Sequence, residues 1–191
     1  MKIGITGSLS SGKTCASKFL SKNKYPIFSA DKQVSNLYKN KSFRNRLKKT
    51  FKLDGTKNIK KKIKTLVLEK KLSLKRLEKI IHPIVRKRMK LFALQNRKKK
   101  FIFFEIPLLI ESRLESFFNI ILFIDSKKNI RLKRYLKRKG NKKAFLVLDK
   151  HQLNNRFKKN FCDHVIVNNN TISVLNKKLM NIMKLYDRNI S

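Results

Sequence analysis

The stretch Gly7-Ser8-Leu9-Ser10-Ser11-Gly12-Lys13-Thr14 constrains this chain more than any other, because its fixed positions match G-x-x-x-x-G-K-[ST]. Glycine is scarce, at 5 of 191 residues, so two glycines at the fixed positions of one octapeptide carry weight. The flanks agree: Lys2 to Thr6 reads as a short buried strand, and Cys15 to Ser21 as a helix that starts at once. Strand, glycine loop and helix in that order make an anion nest. Glycines let the backbone close around a phosphate chain, successive N–H groups point inward, and the helix N-terminus adds its positive end. The pattern predicts that Gly7, Ser8, Leu9, Ser10, Ser11 and Gly12 cradle the phosphates of a nucleoside triphosphate. Lys13 would reach the β- and γ-phosphates, and the Thr14 hydroxyl would ligate magnesium.

The rest of the chain alternates between strand-like and helix-like segments. Tyr25 to Phe28 fits a second strand ending at Ser29-Ala30-Asp31, and Lys32 to Tyr38 has helical spacing. Residues 40 to 98 carry apolar positions at helix period, among them Leu66, Leu72 and Leu77, with no convincing strand, and read as a helical insertion. Phe101 to Phe104, Ile120 to Ile124 and Val165 to Val167 are unbroken apolar runs, as expected of strands covered on both faces in a parallel sheet. Helical stretches are expected around Arg131 to Arg138, Lys143 to Phe157 and Thr171 to Tyr186, with a break at Gly140-Asn141. Strands alternating with helices predict a single α/β domain built on a mainly parallel sheet.

Composition narrows the function. With 41% hydrophobic residues the chain has enough apolar material for a core, and no run approaches the length of a membrane span. Met1-Lys2-Ile3-Gly4 enters the first strand without the regions of a signal peptide, so a cytoplasmic protein is expected, with Cys15 and Cys162 as free thiols. The formal net charge of +39 admits a nucleic-acid partner. However, the charge is spread along the whole chain, and abundant lysine, asparagine, isoleucine and phenylalanine follow from AT-rich codon usage whatever the function. A small polyanionic substrate would be steered by the same field.

A phosphate loop alone does not separate kinases from GTPases, motors or helicases. No GTPase-type N-K-x-D is present, and the chain is short for a helicase core. Asp31 follows the second predicted strand, and in a parallel α/β sheet the C-terminal strand ends open on one crevice. A carboxylate there accepts a proton from an acceptor hydroxyl, or it caps the helix that follows; the two roles are compatible. Arg131, Arg134 and Arg138 lie near Gly140, in a segment that reads either as a lid closing on the triphosphate or as a solvated basic face.

Taken together, the motifs resemble those of the dephospho-coenzyme A kinase family along nearly the whole chain. The strand and loop from Ile3 to Thr14 are followed by Ser29-Ala30-Asp31 in place of a D-A-D-like stretch, then by Leu77-Glu78 leading to His82-Pro83-Ile84-Val85 and Arg86. Pro107-Leu108-Leu109-Ile110-Glu111 matches P-L-L-x-E, Arg134, Arg138 and Gly140 match R-x-x-x-R-x-G, and Gln152 and Cys162-Asp163-His164-Val165-Ile166-Val167-Asn168 follow in order. The resemblance implies a P-loop kinase fold with five parallel strands, a helical substrate lobe at about residues 40–98 and a lid at about 131–145. It implies ATP and dephospho-coenzyme A as substrates, magnesium as cofactor and phosphorylation of the ribose 3′-hydroxyl, in a monomer or small homo-oligomer.

By the same resemblance Asp31, Lys13 and Arg138 are catalytic. Arg134, Arg138 and Asn168 join the loop in binding ATP, and Asp31, His82, Arg86, Pro107, Leu108 and Glu111 bind the acceptor. Glu105 or Glu111 would help place magnesium water or substrate, and His82 beside Pro83 has a structural alternative. Departures from the pattern are Ser8-Leu9-Ser10-Ser11 inside the loop, Ser29 for aspartate, Cys162 for alanine, and lysines near Asn58-Ile59-Lys60-Lys61 where an arginine is usual. Competing readings are a nucleoside or nucleotide kinase and a nucleic-acid-binding ATPase; scattered phenylalanines without aromatic-basic interleaving speak against the last.

Overall fold

The apolar runs become strands in the computed structural model, which describes residues 1–22, 24–53 and 55–188. In chain order the elements are β1 (Lys2–Thr6), α1 (Lys13–Ser21), β2 (Ile27–Ser29), α2 (Ala30–Leu37), α3 (Lys41–Phe51), α4 (Ile59–Leu68) and α5 (Leu74–Gln95). These are followed by β3 (Ile102–Glu105), β4 (Ile120–Asp125), α6 (Lys128–Lys137), α7 (Lys142–His151), α8 (Asn155–Lys159), β5 (His164–Val167) and α9 (Ile172–Arg188). The strands line up as β2-β3-β1-β4-β5, so β1 is central.

Chain contacts divide the molecule into two compact units, residues 29–91 and the remainder. In the larger unit, β1 pairs in parallel with β3 and β4, and β4 with β5. The register sets Ile5 opposite Glu105, Thr6 opposite Phe123 and Asp125 opposite Val167. Parallel pairing therefore delivers Thr6, Glu105 and Asp125 to one end of the sheet, the end from which the glycine loop leaves β1. One face of the sheet buries Ile3, Ile5, Leu122, Ile124 and Ile166 with Ala16 and Leu20 of α1 and Leu175 and Leu179 of α9. Each such large apolar side chain contributes roughly 1.5–3 kcal/mol on burial, which fixes α1 against the sheet and with it the loop that precedes α1. A second aromatic group gathers on Phe104, whose ring centroid lies 5.8 Å from that of Phe28 and 5.9 Å from that of Phe92.

The smaller unit is helical, as its period implies. Leu37, Phe43, Leu47, Ile59, Ile63 and Ile81 bury into one cluster. Its short helices have asparagine caps: Asn40 Oδ1 accepts from Phe43 N–H at 3.0 Å and Asn58 Oδ1 from Lys61 N–H at 3.1 Å. Side-chain caps of this kind satisfy amides that the helix itself leaves unpaired.

Two expectations change. The helix expected over 143–157 is two helices, because the backbone turns extended at Gln152 and Asn154 Oδ1 accepts from Arg156 N–H at 2.8 Å, restarting the helix as α8. Val165 and Val167, expected to be covered on both faces, are 42% and 43% exposed. β5 is the edge strand, and only Ile166 on its other face joins the core. No helix among the described residues is long and apolar enough to cross a membrane.

Both cysteines are free thiols. Burial, reinforced by the neighbouring Asp163 carboxylate, pushes the Cys162 thiol up to about 12. The reactive thiolate is thus suppressed at neutral pH. Iodoacetamide at about pH 8 is expected to leave Cys162 unmodified in the native protein and to label it in denaturant; peptide mass mapping of the two digests checks this.

Candidate active site

The loop between β1 and α1 adopts the backbone that its glycines allow. Gly7 has φ 141° and Gly12 φ 109°, and a Cβ on Gly12 would lie 2.2 Å from Asn168 Nδ2. On Gly7 it would lie 2.2 Å from the carbonyl oxygen of Ile124 at the end of β4. The fixed glycines are therefore required twice, by a positive φ and by close neighbours. Ser11 N–H closes the turn onto Ser8 O at 3.1 Å. Gly12 caps α1 without a side-chain hydrogen bond, leaving first-turn amides of the helix to an anionic ligand.

Lys13 and Thr14 open α1 on this frame. Lys13 is buried, and its Nζ donates to Gly7 O at 2.9 Å and Ser8 O at 2.8 Å, which holds the ammonium over the loop. Thr14 Oγ1 donates to Glu105 Oε1 at 2.5 Å, and Ser17 Oγ reaches Glu105 Oε2 at 3.4 Å. Glu105 is a buried carboxylate at the end of β3, placed there by the register with β1. Thr14 and Glu105 thus present hard oxygen donors side by side.

On the α9 side lies a cavity of about 320 Å³ lined by Gly12, Cys15, Arg134, Arg138, Asn168 and Ile172, among others. Asn168 Nδ2 donates to Ser11 O at 2.7 Å. Arg134 donates to Asn168 O at 3.0 Å and, more loosely, to Ser11 O and Ser126 Oγ. Arg134 therefore braces the loop and the exit of β5, while the exposed Arg138, at the C-cap of α6, faces the cavity. The turn after Arg138 is a Schellman motif: Gly140 N–H donates to Tyr135 O and Lys139 N–H to Leu136 O. A Cβ on Gly140 would lie 2.3 Å from the Tyr135 ring, so packing requires glycine there. Arg131, grouped with these arginines in the sequence, is instead buried; it pairs with Asp149 Oδ1 at 2.5 Å and donates to Leu9 O at 3.3 Å.

On the other side of the loop, Thr6 Oγ1 donates to Pro107 O at 3.2 Å and ties the turn Pro107-Leu108 to the end of β1. Glu111 Oε1 accepts from the wholly buried Lys158 Nζ at 2.9 Å and from Leu153 N–H at 3.1 Å, which fixes the carboxylate, while its Oε2 has no hydrogen-bond partner among the described residues. Of the two acids considered for magnesium water or substrate, the structure brings Glu105, and not Glu111, to Thr14.

Asp31, His82 and Arg86 belong to the smaller unit. The helix after β2 starts at Ala30, and its cap is Ser29, whose Oγ accepts from Lys32 N–H at 3.5 Å. The capping role considered for Asp31 is therefore taken by the serine that departs from the family pattern. Asp31 itself is exposed in the first turn of α2, and among the described residues its carboxylate makes no hydrogen bond or ion pair. His82 is half-buried and Arg86 exposed, both on α5.

The model of the family described as dephospho-CoA kinase matches residues 1–173. The chain belongs to the dephospho-CoA kinase family. A Fusobacterium nucleatum relative named dephospho-CoA kinase is 35% identical over 184 residues, covering 94% of this chain and 95% of its own. Among solved structures, a dephospho-CoA kinase from Campylobacter jejuni superposes with a TM-score of 0.67 at 25% identity over the full length of both chains. A Thermus thermophilus protein superposes at 0.78 with 27% identity over 96% of each chain. A shikimate kinase from Acinetobacter baumannii, at 13% identity and a TM-score of 0.58, shares the fold.

Sequence reasoning did not find Asp125, Asn155 and Lys158. Asp125 carried a signal, an acid closing the apolar run Ile120 to Ile124; Asn155, inside a stretch read as continuous helix, and Lys158, just beyond its end, carried none. Gly12→Ala is expected to abolish measurable binding of a nucleoside triphosphate, with a stability loss of at least about 1–2 kcal/mol from the backbone strain alone. Titration calorimetry and thermal denaturation check both parts. Lys158→Ala strands Glu111 and is expected to cost about 3–5 kcal/mol, whereas Glu111→Leu combined with Lys158→Met recovers most of that loss in chemical denaturation.

Proposed function

We propose that this protein catalyses the last step of coenzyme A synthesis, transfer of the γ-phosphoryl group of ATP to the ribose 3′-hydroxyl of dephospho-CoA, giving CoA and ADP. The observation that carries the reading is the meeting of Thr14 and Glu105 beside an uncapped helix N-terminus, in a chain that belongs to this family. The loop amides and the start of α1 bind the phosphates, and the cavity lined by Arg138, Asn168 and Ile172 receives the nucleotide. Lys13 leaves the carbonyls of Gly7 and Ser8 for the β- and γ-phosphates, exchanging one set of oxygen partners for another.

The acceptor oxygen attacks the γ-phosphorus, the bond to the β,γ-bridging oxygen breaks, and Asp31 takes the hydroxyl proton. Lys13 and Arg138 stabilise charge on the transferring group. His82, Arg86, Pro107 and Leu108 hold the acceptor, and the segment 131–145 acts as the lid. Magnesium fits the donor set, since it takes one or two protein oxygens and completes its shell with phosphate and water; Thr14 and Glu105 would hold it, directly or through water. When bound it neutralises phosphate charge. The reaction takes place in the cytoplasm.

The test is mass spectrometry of the purified protein incubated with magnesium, ATP and a panel of dephospho-CoA, adenosine, nucleoside monophosphates and RNA. CoA is the expected product. Phosphate on another acceptor, or hydrolysis stimulated by RNA alone, would overturn the assignment. Asp31→Asn is expected to lower kcat by about 10²- to 10⁴-fold in a protein with unchanged melting, and a near-normal rate would remove the general-base role. Lys13→Ala is expected to abolish most turnover.

A further inference from the structure

The first half of the phosphate loop is held by a segment that the reaction does not otherwise use. Leu9 N–H donates to Gln152 Oε1 at 3.0 Å, and Ser8 Oγ donates to Asn155 Oδ1. The two partners flank the break between α7 and α8: Gln152 is the extended C-cap of α7 and Asn155 the first residue of α8. The break is itself anchored. Leu153 N–H donates to Glu111 Oε1, which also binds the buried Lys158, and Asn155 Nδ2 donates to Asp125 Oδ1 at 3.1 Å. The second oxygen of Asp125 pairs with Lys159 at 2.5 Å.

Leu9 is therefore gripped through both of its backbone polar groups, at N–H by Gln152 and at C=O by Arg131. Arg131 in turn is locked to Asp149 of α7, the helix that leads into the break. This loop carries Ser8-Leu9-Ser10-Ser11 between its glycines, with Ser10 at φ 59°, so its shape is not one that its residues prefer unaided. Ordering one residue's backbone costs roughly 1–2 kcal/mol, and a loop already ordered does not take that cost from ligand binding.

We propose that Gln152 and Asn155 are positioning residues: they clamp Ser8 and Leu9 in the shape that receives the triphosphate, and the Glu111–Lys158 pair anchors the clamp. The proposal rests on the reading of the loop as the ATP site and extends that site to the junction of α7 and α8. It also gives Glu111 a task, since the carboxylate links the turn after β3 to the clamp. Were Gln152 only a placeholder for phosphate at Leu9 N–H, removing it would tighten nucleotide binding; a clamp predicts the opposite sign.

The experiment compares wild type, Gln152→Met, Asn155→Leu, Ser8→Ala and the Ser8→Ala/Asn155→Leu double variant. Titration calorimetry reads the Kd of a non-hydrolysable ATP analogue with magnesium and no acceptor, and steady-state kinetics reads each KM. The expected result is a Kd raised about 3- to 10-fold by Gln152→Met and by Asn155→Leu, the range of one or two net hydrogen bonds. The KM for ATP rises in step, the KM for dephospho-CoA stays at the wild-type value, and the double variant binds no worse than Asn155→Leu alone. Unchanged or tighter binding, or additive effects of Ser8→Ala and Asn155→Leu, would overturn the clamp. Ser8→Ala severs it from the loop side and leaves the α7–α8 junction intact; because Ser8 also lines the phosphate cradle, its non-additivity with Asn155→Leu, and not weakened binding alone, identifies the clamp, and Gln152→Met tests it independently. Because binding is read without acceptor, failure to phosphorylate dephospho-CoA overturns the substrate reading alone, and the clamp stands or falls on the analogue's Kd.

Discussion

The parallel pairing of β1 with β3 and β4 is the constraint on which the larger unit depends. It fixes the height at which three chains end, and so it brings Thr6, Glu105 and Asp125 to one edge. From there Glu105 reaches Thr14 and Asp125 reaches Asn155, the partner of Ser8 in the loop, while Thr6 ties the turn at Pro107 to the end of β1. A register slip of one residue would turn Glu105 to the other face of the sheet, leaving a carboxylate among phenylalanines and Thr14 without its partner. The aromatic packing around Phe104, the residue before Glu105, opposes that slip with apolar burial.

Charge is used unevenly in this molecule. With 50 basic and 11 acidic residues, repulsion is general and each acid can discharge only a small part of it. Several of the acids nevertheless surround the loop rather than the basic surface. Glu105 meets Thr14, Glu111 meets Lys158, Asp125 meets Lys159 and Asn155, and Asp149 meets Arg131. Where a pair is buried its net effect on stability is small, because desolvation offsets attraction, but its geometry is demanding. The acids thus define shape at the loop more than they hold the fold together, and apolar packing of α1 and α9 on the sheet does the latter.

The sequence displayed what depends on local pattern. The octapeptide at Gly7, the apolar runs of the strands and the helical period of residues 40 to 98 each follow from residue type at fixed spacing, and each appears where expected. The role of Gly12 was legible as a motif, whereas Asn168 was legible only through the family resemblance, because the two meet only once β5 joins the sheet two places from β1. The same holds for Glu111: its motif was visible, whereas Lys158, 47 residues later, has no feature separating it from other lysines. Val165 and Val167 mislead for a simple reason. An edge strand and a central strand of a parallel sheet have the same apolar run when the edge is short.

The departures from the family pattern fit this separation between local and distant causes. Ser29 stands where the pattern has aspartate, and a serine accepts the Lys32 amide as a helix cap without adding a second carboxylate beside Asp31. Cys162 replaces alanine one turn beyond the buried lysine, and its thiol reaches Lys158 O at 3.2 Å, a contact alanine lacks. That contact ties the end of α8 to the entry of β5, where Asp163 Oδ2 accepts from Ile121 N–H at 2.7 Å. Ser29 and Cys162 therefore both fall where a small polar group finds a backbone partner.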